Sequence, residues 1–115
     1  MPYIAINTAQ EISAAQKDKI KTELGRLITI LPTKNEAGLL VDFSDSRTFY
    51  KAGEKVAGAF VDVRLFRKSD YEPKKKFTEE VFELFSRELG IKKENLYITI
   101  MEFDTIGSGG TLKLA

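Results

Sequence analysis

The segment from Ala57 to Phe66 constrains the fold more than any other. Ala59, Val61, Val63 and Leu65 fall on one side of it, and Phe60, Asp62, Arg64 and Phe66 on the other. Side chains on a strand repeat every two residues, so this pattern reads as a strand with one apolar face. Such a face has to be covered, and the chain carries two segments able to cover it. Ser13-Ala14-Ala15-Gln16 has the form of a capping box, and Ile20, Leu24, Leu27, Ile28 and Leu31 follow at helical spacing until Pro32. Glu72-Pro73 opens a second helical pattern, with proline near the first helical position. Phe77, Val81, Leu84, Phe85 and Leu89 form its stripe, and Gly90 suits a left-handed C-cap.

The remaining strands complete the order. Tyr3 to Thr8 alternates and is rich in Ile, Leu39 to Phe43 is a second strand, and Leu96 to Phe103 another. Thr48 to Lys51 reads as a short edge strand or hairpin arm. Gly107-Ser108-Gly109-Gly110 reads as a turn before a final strand from Thr111 to Leu114. The result is β-α-β, a short hairpin, and β-α-β again. This predicts one α+β domain over residues 1–115: a four-stranded mixed sheet with two helices on one face and short edge strands. The other face mixes Asp42, Asp62, Arg64 and Glu102 with Phe and Ile. Such a face is neither a clean core nor a clean surface, and it fits the wet, shared interior of an oligomer.

Composition narrows the chemistry. Eighteen Lys and Arg against seventeen Asp and Glu give a formal charge of +1, and the one dense basic cluster, Lys74-Lys75-Lys76, reads as a solvated helix turn. No nucleic-acid footprint is expected. No apolar run approaches the roughly 18 residues of a membrane span, and no signal-peptide pattern opens the chain. The expected location is cytoplasmic, with any export taking a route that needs no signal peptide. The chain has neither cysteine nor histidine. Disulfides, thiolate catalysis and Cys-ligated zinc are excluded. Acid–base chemistry falls to carboxylates, Lys, Tyr or the terminal amine, because the usual base near neutral pH is missing.

That focuses attention on the opening Met1-Pro2. Proline is small enough for methionine to be trimmed before it, leaving a free secondary amine at the tip of a strand. Burial and a nearby cation would both lower that amine's pKa and leave it neutral at physiological pH, as a general base requires. Taken alone, the residue leaves a second reading open, in which Pro2 merely starts an edge strand.

Met1-Pro2-Tyr3-Ile4-Ala5-Ile6-Asn7-Thr8 resembles the start of the macrophage migration inhibitory factor family, within the tautomerase superfamily. The likeness continues through Pro32-Thr33-Lys34 and Gly58-Ala59-Phe60-Val61-Asp62-Val63. It is clearest in Glu88-Leu89-Gly90-Ile91 followed by Glu94-Asn95-Leu96-Tyr97-Ile98. The resemblance implies a homotrimer whose sheets surround a central channel, with active sites at subunit boundaries. The implied activity is keto–enol tautomerisation of phenylpyruvate-like 2-keto acids, with neither cofactor nor metal.

The resemblance also implies site residues. Pro2 matches the catalytic base. Lys34 matches the lysine that holds the substrate carboxylate and depresses the proline's pKa. Phe66 matches an apolar residue whose backbone N–H meets the substrate. Tyr97 matches an aromatic residue contributed by a neighbouring subunit, and Ile106 an apolar wall. Three positions depart from the pattern. Thr99 replaces an asparagine with a shorter single hydroxyl. Ser108-Gly109-Gly110 replaces a segment that often carries tryptophan. Arg67 stands where glycine is common and could grip a carboxylate through two hydrogen bonds. These departures keep two alternatives alongside the tautomerase: a related Pro2-dependent decarboxylase or hydratase of small acids, and a non-enzymatic trimeric interaction protein.

Overall fold

A computed structural model describes residues 1–115. Its centre is the predicted alternating strand, β5 (Ala59–Phe66), with Ala59, Val61, Val63 and Leu65 buried, Phe60 and Arg64 exposed and Asp62 half-buried. Strand β1 (Pro2–Thr8) pairs with it antiparallel, with Pro2 opposite Leu65. On the far side of β1, β2 (Leu40–Ser44) runs parallel. On the far side of β5, β6 (Leu96–Phe103) also runs parallel. The order β2-β1-β5-β6 is therefore two β-α-β units joined back to back at the β1–β5 pair. Parallel neighbours need a crossover, and the two helices provide them: α1 (Ala14–Leu27) and α2 (Tyr71–Leu89).

Both helices pack on the same sheet face. Ile20, Leu24, Leu27 and Ile28 join Phe77, Val81, Leu84, Phe85 and Leu89 over Ile4, Ile6, Val61, Val63 and Leu65 in one buried cluster. Fully burying each large side chain contributes about 1.5–3 kcal/mol, so this cluster is the main source of stability. The capping box forms as expected: Gln16 N–H donates to Ser13 Oγ at 3.1 Å, and Ser13 N–H donates to Gln16 Oε1 at 3.0 Å. Gly90 adopts the left-handed cap at φ 65°. No helix is long and apolar enough to cross a membrane.

Several boundaries differ from expectation. The hairpin arm becomes β3 (Phe49–Lys51), paired antiparallel with β4 (Glu54–Val56) across Ala52-Gly53, both at positive φ, as a tight two-residue hairpin turn favours. Gly107 and Ser108 belong to a strand, β7 (Thr105–Ser108), rather than to a turn. Only Gly109 and Gly110 turn, both left-handed, before β8 (Thr111–Leu114) pairs back. Strand β2 starts at Leu40 because the Leu39 N–H closes the preceding turn onto Glu36 O.

Glu102 is the correction with a consequence. Its position shares parity with Ile98 and Ile100, which pack against the core, so it faces the helices rather than the open side. There it accepts from the Ser69 N–H and from Lys74 Nζ. The open face keeps the other three charges. Tyr3 Oη donates to Asp42 at 2.8 Å, Arg64 pairs with Asp62 at 3.2 Å, and Arg64 also lies over the Tyr3 ring.

Candidate active site

The antiparallel pairing of β1 with β5 brings residue 2 beside the corner where β5 ends, at Phe66-Arg67. The loop after α1 reaches the same corner. Lys34 is 8% exposed, and its Nζ donates to the Phe66 carbonyl at 2.7 Å. Together these segments enclose a pocket of about 300 Å³, lined by Met1, Pro2, Lys34, Phe66 and Arg67, with Thr33, Asn35 and Gly38 completing its wall. Pro2 is buried. A Cβ on Gly38 would sit 3.7 Å from Pro2 Cδ, in ordinary van der Waals contact, so this turn lies alongside the proline ring.

The electrostatics of the pocket are one-sided. Lys34 and Arg67 are both cationic, neither pairs with a carboxylate, and no acidic residue lines the wall. Burial, reinforced by the Arg67 charge, holds the Lys34 ammonium below its usual range, against an opposing pull from Glu102. The Met1 amine is lowered in the same way, first by burial and then by Lys34, Arg67 and Lys113. Any amine at this strand tip meets a field that disfavours its protonated form.

Two backbone positions at the rim are strained. Thr33 and Arg67 have φ of 65° and 79°, in the left-handed region that non-glycine residues avoid. Each costs on the order of 1 kcal/mol and is held by its surroundings. The Arg67 N–H donates to Phe103 O at 2.9 Å, and its guanidinium lies 5.4 Å from the Phe66 ring centre. The Phe66 N–H donates to Met1 O at 3.4 Å.

Of the residues singled out in the sequence, Pro2, Lys34, Phe66 and Arg67 converge within one chain. Tyr97 does not. It pairs with Phe60, five positions along β5 from the partner of Pro2, or about 16 Å at strand spacing. Tyr97 is 48% exposed and lies beside Phe49, Tyr50 and Phe60, with Lys51 Nζ above its ring. Thr99 lies midway along the edge strand β6 on the open face, its hydroxyl 3.4 Å from Asp62 Oδ1. Ile106 is on β7, outside the pocket wall. Sequence reasoning missed Thr33, Asn35, Gly38 and Lys113. Asn35 had a local signal, since it follows Lys34 in a proline-led loop and its Oδ1 caps the next turn at Gly38 N–H. Nowhere do three or more Asp or Glu side chains gather as a metal site would require.

No protein-family model and no curated protein matches the sequence. Solved structures do match. The fold is that of the macrophage migration inhibitory factor proteins. Leishmania major MIF2 superposes with a TM-score of 0.89 at 20% identity, over 97% of both chains. The macrophage migration inhibitory factor of Trichinella spiralis gives 0.79 at 18% identity, over 96% of this chain and 98% of that one. Pt0534, solved after inactivation by 2-oxo-3-pentynoate, gives 0.83 at 15% identity, over 94% and 93%. The architecture shared with these proteins is the α+β arrangement that the two β-α-β units predicted.

Proposed function

We propose that the protein is a cofactor-independent tautomerase of 2-oxo acids, working as a homotrimer through the amine of Pro2 once Met1 has been removed. The observation that carries this reading is the position of Pro2: buried, in the wall of a pocket that it shares with two cations without carboxylate partners. The same surroundings already lower the Met1 amine, and a free Pro2 amine would lie deeper in them. A secondary amine held neutral is a competent base near neutral pH.

The reaction is a proton relay. Lys34, with Arg67 beside it, holds the substrate carboxylate. The neutral Pro2 nitrogen takes a proton from the carbon next to the ketone, and the C–H electron pair becomes the carbon–carbon double bond of an enolate. The protonated amine then returns that proton to the enolate oxygen, giving the enol; the reverse sequence gives the ketone. Loss of Met1 removes the acceptor now occupying the Phe66 N–H, which frees that donor for the substrate. An inactivator of the similarly folded Pt0534, 2-oxo-3-pentynoate, is itself a 2-oxo acid, in keeping with this substrate class. Arg67 in the pocket also favours a second reading, decarboxylation or hydration of small acids by the same Pro2.

The test is the intact mass of untagged protein, a titration of the nitrogen-labelled proline, and the rate of phenylpyruvate enol–keto conversion. A mass lacking Met1, a proline pKa below that of the free amino acid, and a rate falling about 10²- to 10⁴-fold in Pro2→Ala are expected. A retained Met1, or a Pro2→Ala variant as fast as the parent, overturns the reading.

A further inference from the structure

We propose that the pocket selects a short 2-oxo dicarboxylate over a monocarboxylate with an aryl tail; the inference rests on the Pro2 reaction above. The first ground is the wall itself. Its only large apolar side chains are Met1 and Phe66, and Met1 leaves on processing. The Phe66 side chain is buried, packed against Phe103 and partly covered by the Arg67 guanidinium. Within the chain little apolar surface is left to take an aromatic tail, so apolar contact with one would have to come from a neighbouring subunit, whereas both cations stand on this chain.

The second ground is charge. A carboxylate held at the buried Lys34 leaves the exposed Arg67 guanidinium beside it free to grip a second carboxylate through two hydrogen bonds. Glu102 is engaged by Ser69 and Lys74, and although Glu102, Asp104 and Ala115 border a neighbouring depression with Arg67, none forms an ion pair with it. Lys113 adds to the positive field at the strand tip. A dianion neutralises both cations. The two are also close along the chain path: Lys34 Nζ is bonded to the carbonyl of Phe66, and Arg67 is the next residue. A pocket of about 300 Å³ matches a small acid.

The third ground is the strained backbone at Arg67. Glycine would adopt φ 79° without penalty, whereas arginine pays for it. An outlier of this kind at a pocket rim points to a side chain kept for its own chemistry.

The test uses the processed full-length chain and follows enol–keto conversion of oxaloacetate and of phenylpyruvate. The parent protein is expected to show the higher kcat/KM for oxaloacetate. Arg67→Gly, which keeps the backbone conformation and removes the cation, is expected to lower the oxaloacetate-to-phenylpyruvate ratio about 10- to 100-fold, mainly through KM. Arg67→Lys is expected to keep part of the preference. An unchanged ratio in Arg67→Gly, or a parent preference for phenylpyruvate, overturns the proposal. Binding is read separately by NMR titration with malonate and acetate, which undergo no turnover. Arg67-dependent binding of malonate in a protein that turns over neither acid sustains the dianion site and defeats the Pro2 reaction. Pro2-dependent turnover of phenylpyruvate without malonate binding defeats the dianion site alone.

Discussion

Lys34 and Phe66, 32 residues apart in sequence, are joined by a 2.7 Å bond from the lysine ammonium to the phenylalanine carbonyl. The bond ties the loop after α1 to the end of β5, at the pocket that Pro2 also lines. It also places a cation where burial, and then Arg67, disfavours its charged form. The folded chain therefore binds this proton less readily than the unfolded chain, whose lysine titrates near 10.5. The burial cost is fully present below the folded pKa and disappears as pH rises through 10.5, so stability rises with pH across that window. Lys34→Met keeps the stem and removes the charge. Its urea midpoint should lack the alkaline rise seen in the parent, and its kcat/KM on any 2-oxo acid should fall about 100-fold. A variant with the parent's alkaline rise would show that Lys34 is not the group responsible.

Met1 carries a second prediction. With the methionine in place, its carbonyl accepts from the Phe66 N–H and its side chain lines the pocket. A chain kept with an uncleaved N-terminal extension should fold normally, because the β1 register and the core do not involve Met1. Its tautomerase rate should be lower by about 10²-fold or more, since Pro2 then carries an amide in place of a basic amine. Proteolytic removal of the extension to expose Pro2 should restore the rate. Equal rates before and after cleavage, at equal melting temperature, would remove Pro2 from the mechanism.

Acid should unfold the protein through two tethers. Burial opposes ionisation of Glu102, but the bonds from Lys74 and the Ser69 N–H outweigh it and hold the carboxyl below 4.5. The Ile12 N–H bond, assisted by Lys17 against burial, holds Asp45 below 3.8. Both groups bind protons less readily folded than unfolded, so their stabilisation is present above those values and is lost as pH falls through the folded pKa. Glu102→Gln keeps the shape and removes the titration. Its stability should decline less steeply than the parent's below pH 4.5, read from urea midpoints. Parallel declines would mean that the Glu102 tether does not contribute to acid unfolding.

The core was legible because burial leaves a period. Ala59, Val61, Val63 and Leu65 cannot shift by one residue without turning the whole apolar set outward, so the alternation reports the buried face directly. The same logic, applied to β6, would have put Glu102 with Ile98 and Ile100; grouping it by charge with Asp42 and Asp62 hid its parity. Pro2, Lys34, Phe66 and Arg67 were identified one by one, but their convergence depends on the β1–β5 register, which no local pattern encodes. The left-handed backbones of Thr33 and Arg67 were invisible for a different reason. Their residue types disfavour that conformation, and only tertiary bonds such as Arg67 N–H to Phe103 O impose it. Lys113 was missed because β8 is exposed throughout, and nothing in its pattern marks one lysine as near the strand tip.

The separation of Tyr97 from Pro2 tests the trimer. Within one chain the two lie toward opposite ends of the β5 partner positions, so Tyr97 can serve a Pro2 pocket only from another copy. Its exposure, and that of neighbouring Tyr50 and Phe60, leaves an aromatic edge open for such a contact. If each site takes Pro2 from one subunit and Tyr97 from the next, Pro2→Ala and Tyr97→Ala chains should each be impaired alone. Unfolded together and refolded as mixed trimers, they should regain about a quarter of the parent activity, because that fraction of sites combines an intact proline with an intact tyrosine. A mixture no more active than the average of the two variants would show that Tyr97 does not act across a subunit boundary.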